Sequence, residues 1–310
     1  MTDHHLLVPT DLSEFGAAAL RYAAALRQPL DAAMTVLYCD EPGYPLAAPD
    51  LVLDRLAKHV AASVPAPLPN LRVARGYAMQ SSLDTADDID ASLIVMGTHG
   101  RRGWRRLLLG SVTENVLRQS KRPVITIGPS GVPIQSPRFS TILCPVNFSL
   151  AGIDALREAG VMASRLDADL LVLYVAEPSG PPLSSDLELE FSGWIDPQLR
   201  GRCRYRQMIA SGDAAERVLE TADQVRADLL VIGAQHARFR DTTIIGSTSE
   251  KIARFAECPV MTVVRPAEEE ARHVRAASHA HDRNTEPDAR LDRVGGGTRR
   301  PVARDRRRSW

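Results

Sequence analysis

Short apolar runs alternate with stretches of helical periodicity along most of the chain. Near the start, Leu6–Val8, Met34–Cys39, Leu71–Ala74, Leu93–Met96 and Val124–Ile127 read as buried strands of a parallel sheet. Strands covered on both faces carry continuous apolar residues instead of strict alternation. Between them Ser13–Leu26, Asp50–Val64, Gln80–Asp88 and Ser111–Ser120 carry the spacing of amphipathic helices. Strands joined in this way by crossover helices predict a doubly wound α/β domain. Its ligand crevice should lie past the carboxyl ends of the strands, after Val8, Cys39 and Met96.

The same scheme then recurs. A shift of 136 residues (145 − 9) lays Pro9 on Pro145, Ser13 on Ser149, Pro42 on Pro178 and Gly76 on Gly212. It goes on to lay Gly97 on Gly233, Gly110 on Gly246, Ser111 on Ser247, Glu114 on Glu250 and Pro123 on Pro259. One constant offset at so many turn-forming positions implies a tandem duplication. The expected fold is therefore α/β, two tandem doubly wound five-stranded parallel-sheet domains over 1–131 and 138–266, joined by the turn-rich Gly128–Pro133. In the second half, Gly193 and Pro197 are expected to interrupt the second helical region. From Ala267 to Trp310 the periodicity stops, and eleven Arg face eight Asp or Glu around Gly295–Gly297. A disordered charged tail, 267–310, is expected there, solvated rather than bound to an acidic partner.

Composition narrows the class. Apolar residues make up 44% and charged ones 25%, as in ordinary globular domains. Lys+Arg 38 balances Asp+Glu 38, so no whole-chain positive field draws in nucleic acid or an anionic membrane. The cysteines Cys39, Cys144, Cys203 and Cys258 form no C-x-x-C pair and read as reduced structural thiols. No run reaches the roughly 18 apolar residues needed to cross a bilayer. The first apolar run is closed at once by Pro9, unlike a secretory leader, so a cytoplasmic location is expected.

Candidate chemistry concentrates between Met96 and Thr113. A strand ends at Gly97, Gly100 follows after two residues, and Gly110–Ser111 follows after nine more, opening a helix. Glycine lets backbone approach a phosphate closely, and a helix amino terminus offers unpaired N–H groups and the positive end of its dipole. Single residues have plainer readings. Ser111-Val112-Thr113-Glu114 is also a capping box, and Gly97 alone could be a strand-to-loop turn. The loop charge favours an anion: Thr98–Leu109 holds Arg101, Arg102, Arg105 and Arg106, while Ala234–Ile245 holds Arg238 and Arg240 against Asp241. Walker, Rossmann, zincin and nucleophile-elbow motifs are absent, as are S-G-G-x-D-S and H-I-G-H, and His99 has no partner acid in register.

The G-x-x-G, nine residues, G-S pattern of Gly97, Gly100, Gly110 and Ser111, with Val8-Pro9-Thr10-Asp11-Leu12-Ser13, resembles the universal stress proteins. The resemblance covers both halves and leaves out the tail. It implies an adenine nucleotide alpha hydrolase-like, Rossmann-like fold and an ATP pocket in the first half, with or without Mg. By the same resemblance Pro9, Thr10 and Asp11 would face ribose and adenine, and the Cys39 backbone would bond the adenine edge. Met96, Gly97, Gly100, Arg101, Gly110, Ser111, Val112 and Thr113 would surround ribose and phosphates. For Asp11 a helix cap or turn acid remains an equal reading. The second half departs, with Asn147 for Asp11 and His236 for Gly100, so one ATP per chain is expected.

The function implied is an ATP-binding stress-response module read by protein partners, without rapid turnover. The alternatives are a slow ATP hydrolase or phosphotransferase, and an adaptor with empty pockets. No membrane or nucleic-acid partner is expected. The family commonly dimerises through its last strands, so Val124–Ile127 and Val260–Val264 are expected to pair across a pseudo-twofold axis, in a monomer or a homodimer.

Overall fold

The computed structural model describes residues 4–41, 49–98, 109–131, 137–177, 185–239 and 242–265. The tail expected from 267 onward lies outside them.

In the first half the order is β1 (His4–Thr10), α1 (Glu14–Arg27), β2 (Ala32–Asp40), α2 (Pro49–Ser63), β3 (Asn70–Arg75), α3 (Ala78–Asp88), β4 (Leu93–Gly97), α4 (Ser111–Gln119) and β5 (Val124–Ile127). The second half follows with β6 (Thr141–Val146), α5 (Leu150–Leu166), β7 (Asp169–Ala176), α6 (Ser185–Leu199), β8 (Tyr205–Ser211) and α7 (Ala214–Gln224). It closes with β9 (Leu229–Phe239), β10 (Thr242–Ile245), α8 (Ser247–Phe255) and β11 (Val260–Arg265).

All these strands join one sheet, in the order β3-β2-β1-β4-β5-β11-β9-β6-β7-β8, with β10 added on β9. Pairing is parallel within each half, apart from the β9–β10 hairpin, and the sequence offset carries into register. Leu6 pairs Leu93 as Ile142 pairs Leu229. The halves meet where β5 and β11 run antiparallel, with Val260 opposite Thr126, Met261 opposite Ile125 and Thr262 opposite Val124. Met261 is the counterpart of Ile125 at the offset of 136 (261 − 125), so the pseudo-twofold passes through that pair.

Alternation along each strand sends neighbouring side chains to opposite faces. Leu6, Val8, Val95, Ile125 and Met261 enter one core that runs across the seam and is covered by Leu20 and Leu26 of α1, Leu56 of α2, Leu156 of α5 and Phe191 of α6. Leu7, Ile94 and Val124 enter a second core under α3 and α4. Leu143, Leu230 and Val260 enter a third under α7 and α8. Each fully buried Leu or Ile contributes about 1.5–3 kcal/mol.

Two expectations are corrected. First, α6 is one continuous helix that contains both Gly193 and Pro197. Pro197 falls in its last turn and forfeits one backbone hydrogen bond. Phe191, Ile195 and Leu199, all fully buried at i, i+4 and i+8, keep that face on the core and offset the loss. Second, the segment after Gly233 is not a loop. It continues as β9 and turns back as β10, pairing His236 with Ile245 and Ala237 with Ile244.

Candidate functional site

The carboxyl ends of β1, β2 and β4 are neighbours in the sheet, which brings Pro9, Thr10, Cys39, Met96 and Gly97 to one rim. A tight turn follows β1. Thr10 Oγ1 accepts the Leu12 N–H at 3.1 Å, Asp11 Oδ1 accepts the Ser13 N–H at 3.0 Å, and Ser13 Oγ caps α1 by accepting from Gly16 N at 3.2 Å. Asp11 is thus the turn acid and Ser13 the cap. Leu12 sits at φ 63°, a left-handed conformation that costs a non-glycine residue about 1–2 kcal/mol. Such strain persists where the surroundings over-determine it, and it clusters at ligand-holding turns.

Gly97 is the hub of the rim. A Cβ there would lie 2.8 Å from Cβ of Phe15 and 3.0 Å from its backbone, so the glycine lets the first turn of α1 press on the end of β4. The Thr113 hydroxyl donates to the Gly97 carbonyl at 2.8 Å, which ties the first turn of α4 to the same point. Two helix amino termini therefore converge on one strand end, and their dipoles add a positive potential there.

The first turn of α4 keeps backbone donors outside its own ladder. Its hydrogen-bond ladder starts with Glu114 N–H to Gly110 O at 2.9 Å, which leaves the N–H groups of Ser111, Val112 and Thr113 outside it. The capping box is not formed: Gly110 is the cap residue, at φ −59° and ψ 145°, without a side-chain bond. Ser111 is exposed, and its hydroxyl has no hydrogen bond among the described residues. Glu114 turns instead to Arg118 at 2.7 Å. Gly110 N–H donates to Thr98 O at 2.6 Å, pinning together the two ends of the segment between them. Gly100, Arg101, His99 and the other arginines of that segment lie outside the described residues.

The remaining candidates are structural in part. Met96 is buried in the core under α3 and α4, and Val112 packs against that core. Cys39 precedes the last residue of β2, opposite Ala74, with Sγ 3.9 Å from the Ala78 carbonyl. Burial pushes its thiol up to about 11, which keeps it neutral near pH 7. No group of three or more His, Cys, Asp or Glu could hold a metal ion among the described residues. No described helix is long and apolar enough to cross a membrane.

Sequence reasoning missed Phe15, because its contact with Gly97 exists only once α1 has docked. It also missed the β9–β10 hairpin, although the β-branched run Thr242-Thr243-Ile244-Ile245 is a strand signal.

A family model described as the universal stress protein family matches residues 4–128 and 197–264. A universal stress protein of Mycolicibacterium smegmatis is 28% identical over 298 residues, covering 86% of this chain and 98% of that protein. One from Mycobacterium tuberculosis is 25% identical over 198 residues, 58% of this chain and 67% of that protein. The crystal structure of a universal stress protein from Archaeoglobus fulgidus superposes with a TM-score of 0.65 at 24% identity, over 86% of this chain and all (100%) of that one. This last likeness is one of fold.

Proposed function

The chain belongs to the universal stress protein family, and we propose that it is a cytoplasmic stress-response module that holds one ATP, in its first half, and presents the loaded state to protein partners. The observation that carries the reading is the convergence of the α1 and α4 amino termini on Gly97, beside an exposed Ser111 and three N–H groups outside the helix ladder. In this reading the α4 amino terminus takes the phosphates, and the strained turn Thr10–Ser13 takes the nucleoside with the backbone of Cys39.

The second half keeps the convergence. A Cβ at Gly233 would overlap the Ala151 carbonyl of α5, and Ser249 Oγ donates to Gly233 O at 3.0 Å. It also keeps an exposed serine, Ser247, and a helix ladder that starts only with Glu250 N–H to Gly246 O at 2.9 Å, but its turn and the segment after Gly233 differ. Asn147 Oδ1 is bonded by the Ser149 hydroxyl at 2.6 Å, and Phe148 has none of the positive φ of Leu12. The backbone that would have to cradle phosphate there is engaged in the β9–β10 pairing. Hence one site per chain.

The proposal is of binding rather than turnover: the convergence on Gly97 is built of amides and hydroxyls, and the Asp11 carboxylate is committed to the turn. Mass spectrometry of nucleotide released from freshly purified protein, followed by calorimetric titration of the stripped protein, tests it. The expected result is an adenine nucleotide at a stoichiometry near one. Two equal sites would overturn the occupancy, and no binding would overturn the function. Steady release of ADP that survives purification controls would replace binding by slow hydrolysis.

A further inference from the structure

We propose that the β9–β10 hairpin of the second half is a positioning element for the anion-binding helix of the first half. The inference rests on the reading of α4 as that helix. Where β4 stops at Gly97, its counterpart β9 runs on through Gly233 to Phe239, and β10 returns along it to Ile245. The hairpin reaches the first half, where β10 contacts α4. Ala234, on β9, and Ala253, on α8, belong to the same apolar core as Val116 and Leu117 of α4 and Val124 of β5. α4 is therefore contacted both by α3 and by a strand from the second half.

That support matters because α4 is short. A helix of nine residues has little stability of its own, so its direction is fixed by what it packs against. The field of a helix terminus is felt only within about its first turn, so a small tilt of α4 weakens its grip on a phosphate sharply. Its amino terminus is tied at Gly97 through Thr113 and at Thr98 through Gly110, but both ties act at one end. A further contact comes from β10 of the second half. By the same exchange the second half gives up a phosphate-cradling loop, since antiparallel pairing engages the backbone of His236–Phe239 and Thr242–Ile245.

The test replaces residues 236–245 of the full chain by a glycine-serine segment of equal length and measures ATP by calorimetry and adenosine by displacement. Because the hairpin acts through the phosphate end, the expected result is ATP binding weakened about tenfold with adenosine binding within about twofold of the parent protein. Unchanged ATP affinity, or a parallel fall for both ligands, overturns the proposal. Should the replacement lower the urea midpoint, the milder pair Arg238→Pro with Thr243→Pro, which removes backbone donors from the hairpin, decides by the same ATP-against-adenosine split. A parent protein that binds neither ligand overturns the functional reading itself, an outcome distinct from a parent that binds and a variant that binds equally well.

Discussion

The two halves are near copies in backbone and differ at their rims. Left-handed residues recur at the offset of 136 residues: Asp31 with Asp167, Gly76 with Gly212, and Asp90 with Arg226 (167 − 31, 212 − 76 and 226 − 90). The caps of α4 and α8, Gly110 and Gly246, share φ near −59° and −54°. Glu114 pairs with Arg118 as Glu250 pairs with Arg254, each at 2.7 Å. Among the described non-glycine residues only Leu12 has a left-handed φ without a twin, and the segment after Gly233 forms a hairpin. Glycines kept in both halves therefore report helix packing as much as ligand binding. Among the described residues the turn after the first strand separates the halves, and turns and loops are the parts of an α/β domain that hold ligands.

The sharpest way to break the comparison is at the caps. Gly110→Val should abolish ATP binding, a loss of about a hundredfold or more in calorimetry, while Gly246→Val leaves it intact. Both backbones already sit at angles a β-branched residue adopts, and a Cβ at Gly246 meets nothing within 4 Å among the described residues. Equal losses would return the second half to the list of binding sites. Next in size come the hub glycines. Gly233→Ala, which drives a methyl into the Ala151 carbonyl, should cost about 2–3 kcal/mol in urea unfolding. Gly97→Ala, set against Phe15, should cost about 1–2 kcal/mol. Loss of ATP in a Gly97 variant would thus be ambiguous, which makes Gly110 the better probe.

Smaller still is the serine pair. Ser111→Ala should weaken ATP by about fivefold, near 1 kcal/mol, and Ser247→Ala by nothing measurable. The smallest effect lies at a position where the halves hold different polar groups, the buried Tyr22 on α1 and the half-buried Glu158 on α5. Burial raises the Glu158 pKa, with His4 acting weakly against it. The folded protein then holds a proton that the unfolded chain has released, so stability is lost as pH rises through the raised value. Glu158→Gln should accordingly raise the urea midpoint at pH 7 and leave it nearly unchanged below the ordinary carboxylate range, where both states are protonated. A midpoint shift independent of pH would assign the effect to packing.

Much of the fold was legible because buried parallel strands write continuous apolar runs. Val124–Ile127 is read to the residue, and Leu93–Met96 falls one short of its end at Gly97. The rim was legible as well, since strand ends follow from strands. Features set by tertiary contact were not. Ser111-Val112-Thr113-Glu114 fits a capping box, yet the Thr98 carbonyl grips Gly110 and Arg118 takes Glu114, so the cap moves back one residue. Pro197 signals a break, yet three buried apolar side chains overrule it. The hairpin was hidden by the repeat itself, because alignment to the first half assigns a loop where β-branched residues pair.

The antiparallel β5–β11 seam has a genetic consequence. When a twofold pair is made from two identical chains, every substitution is written into both partners at once, and a site cannot be dismantled on one side while it is kept on the other. Here the partners are consecutive stretches of one reading frame, so each codon changes a single side of the axis. An arrangement that symmetry would forbid, with one partner holding the ligand and the other reshaped to serve it, becomes reachable one mutation at a time.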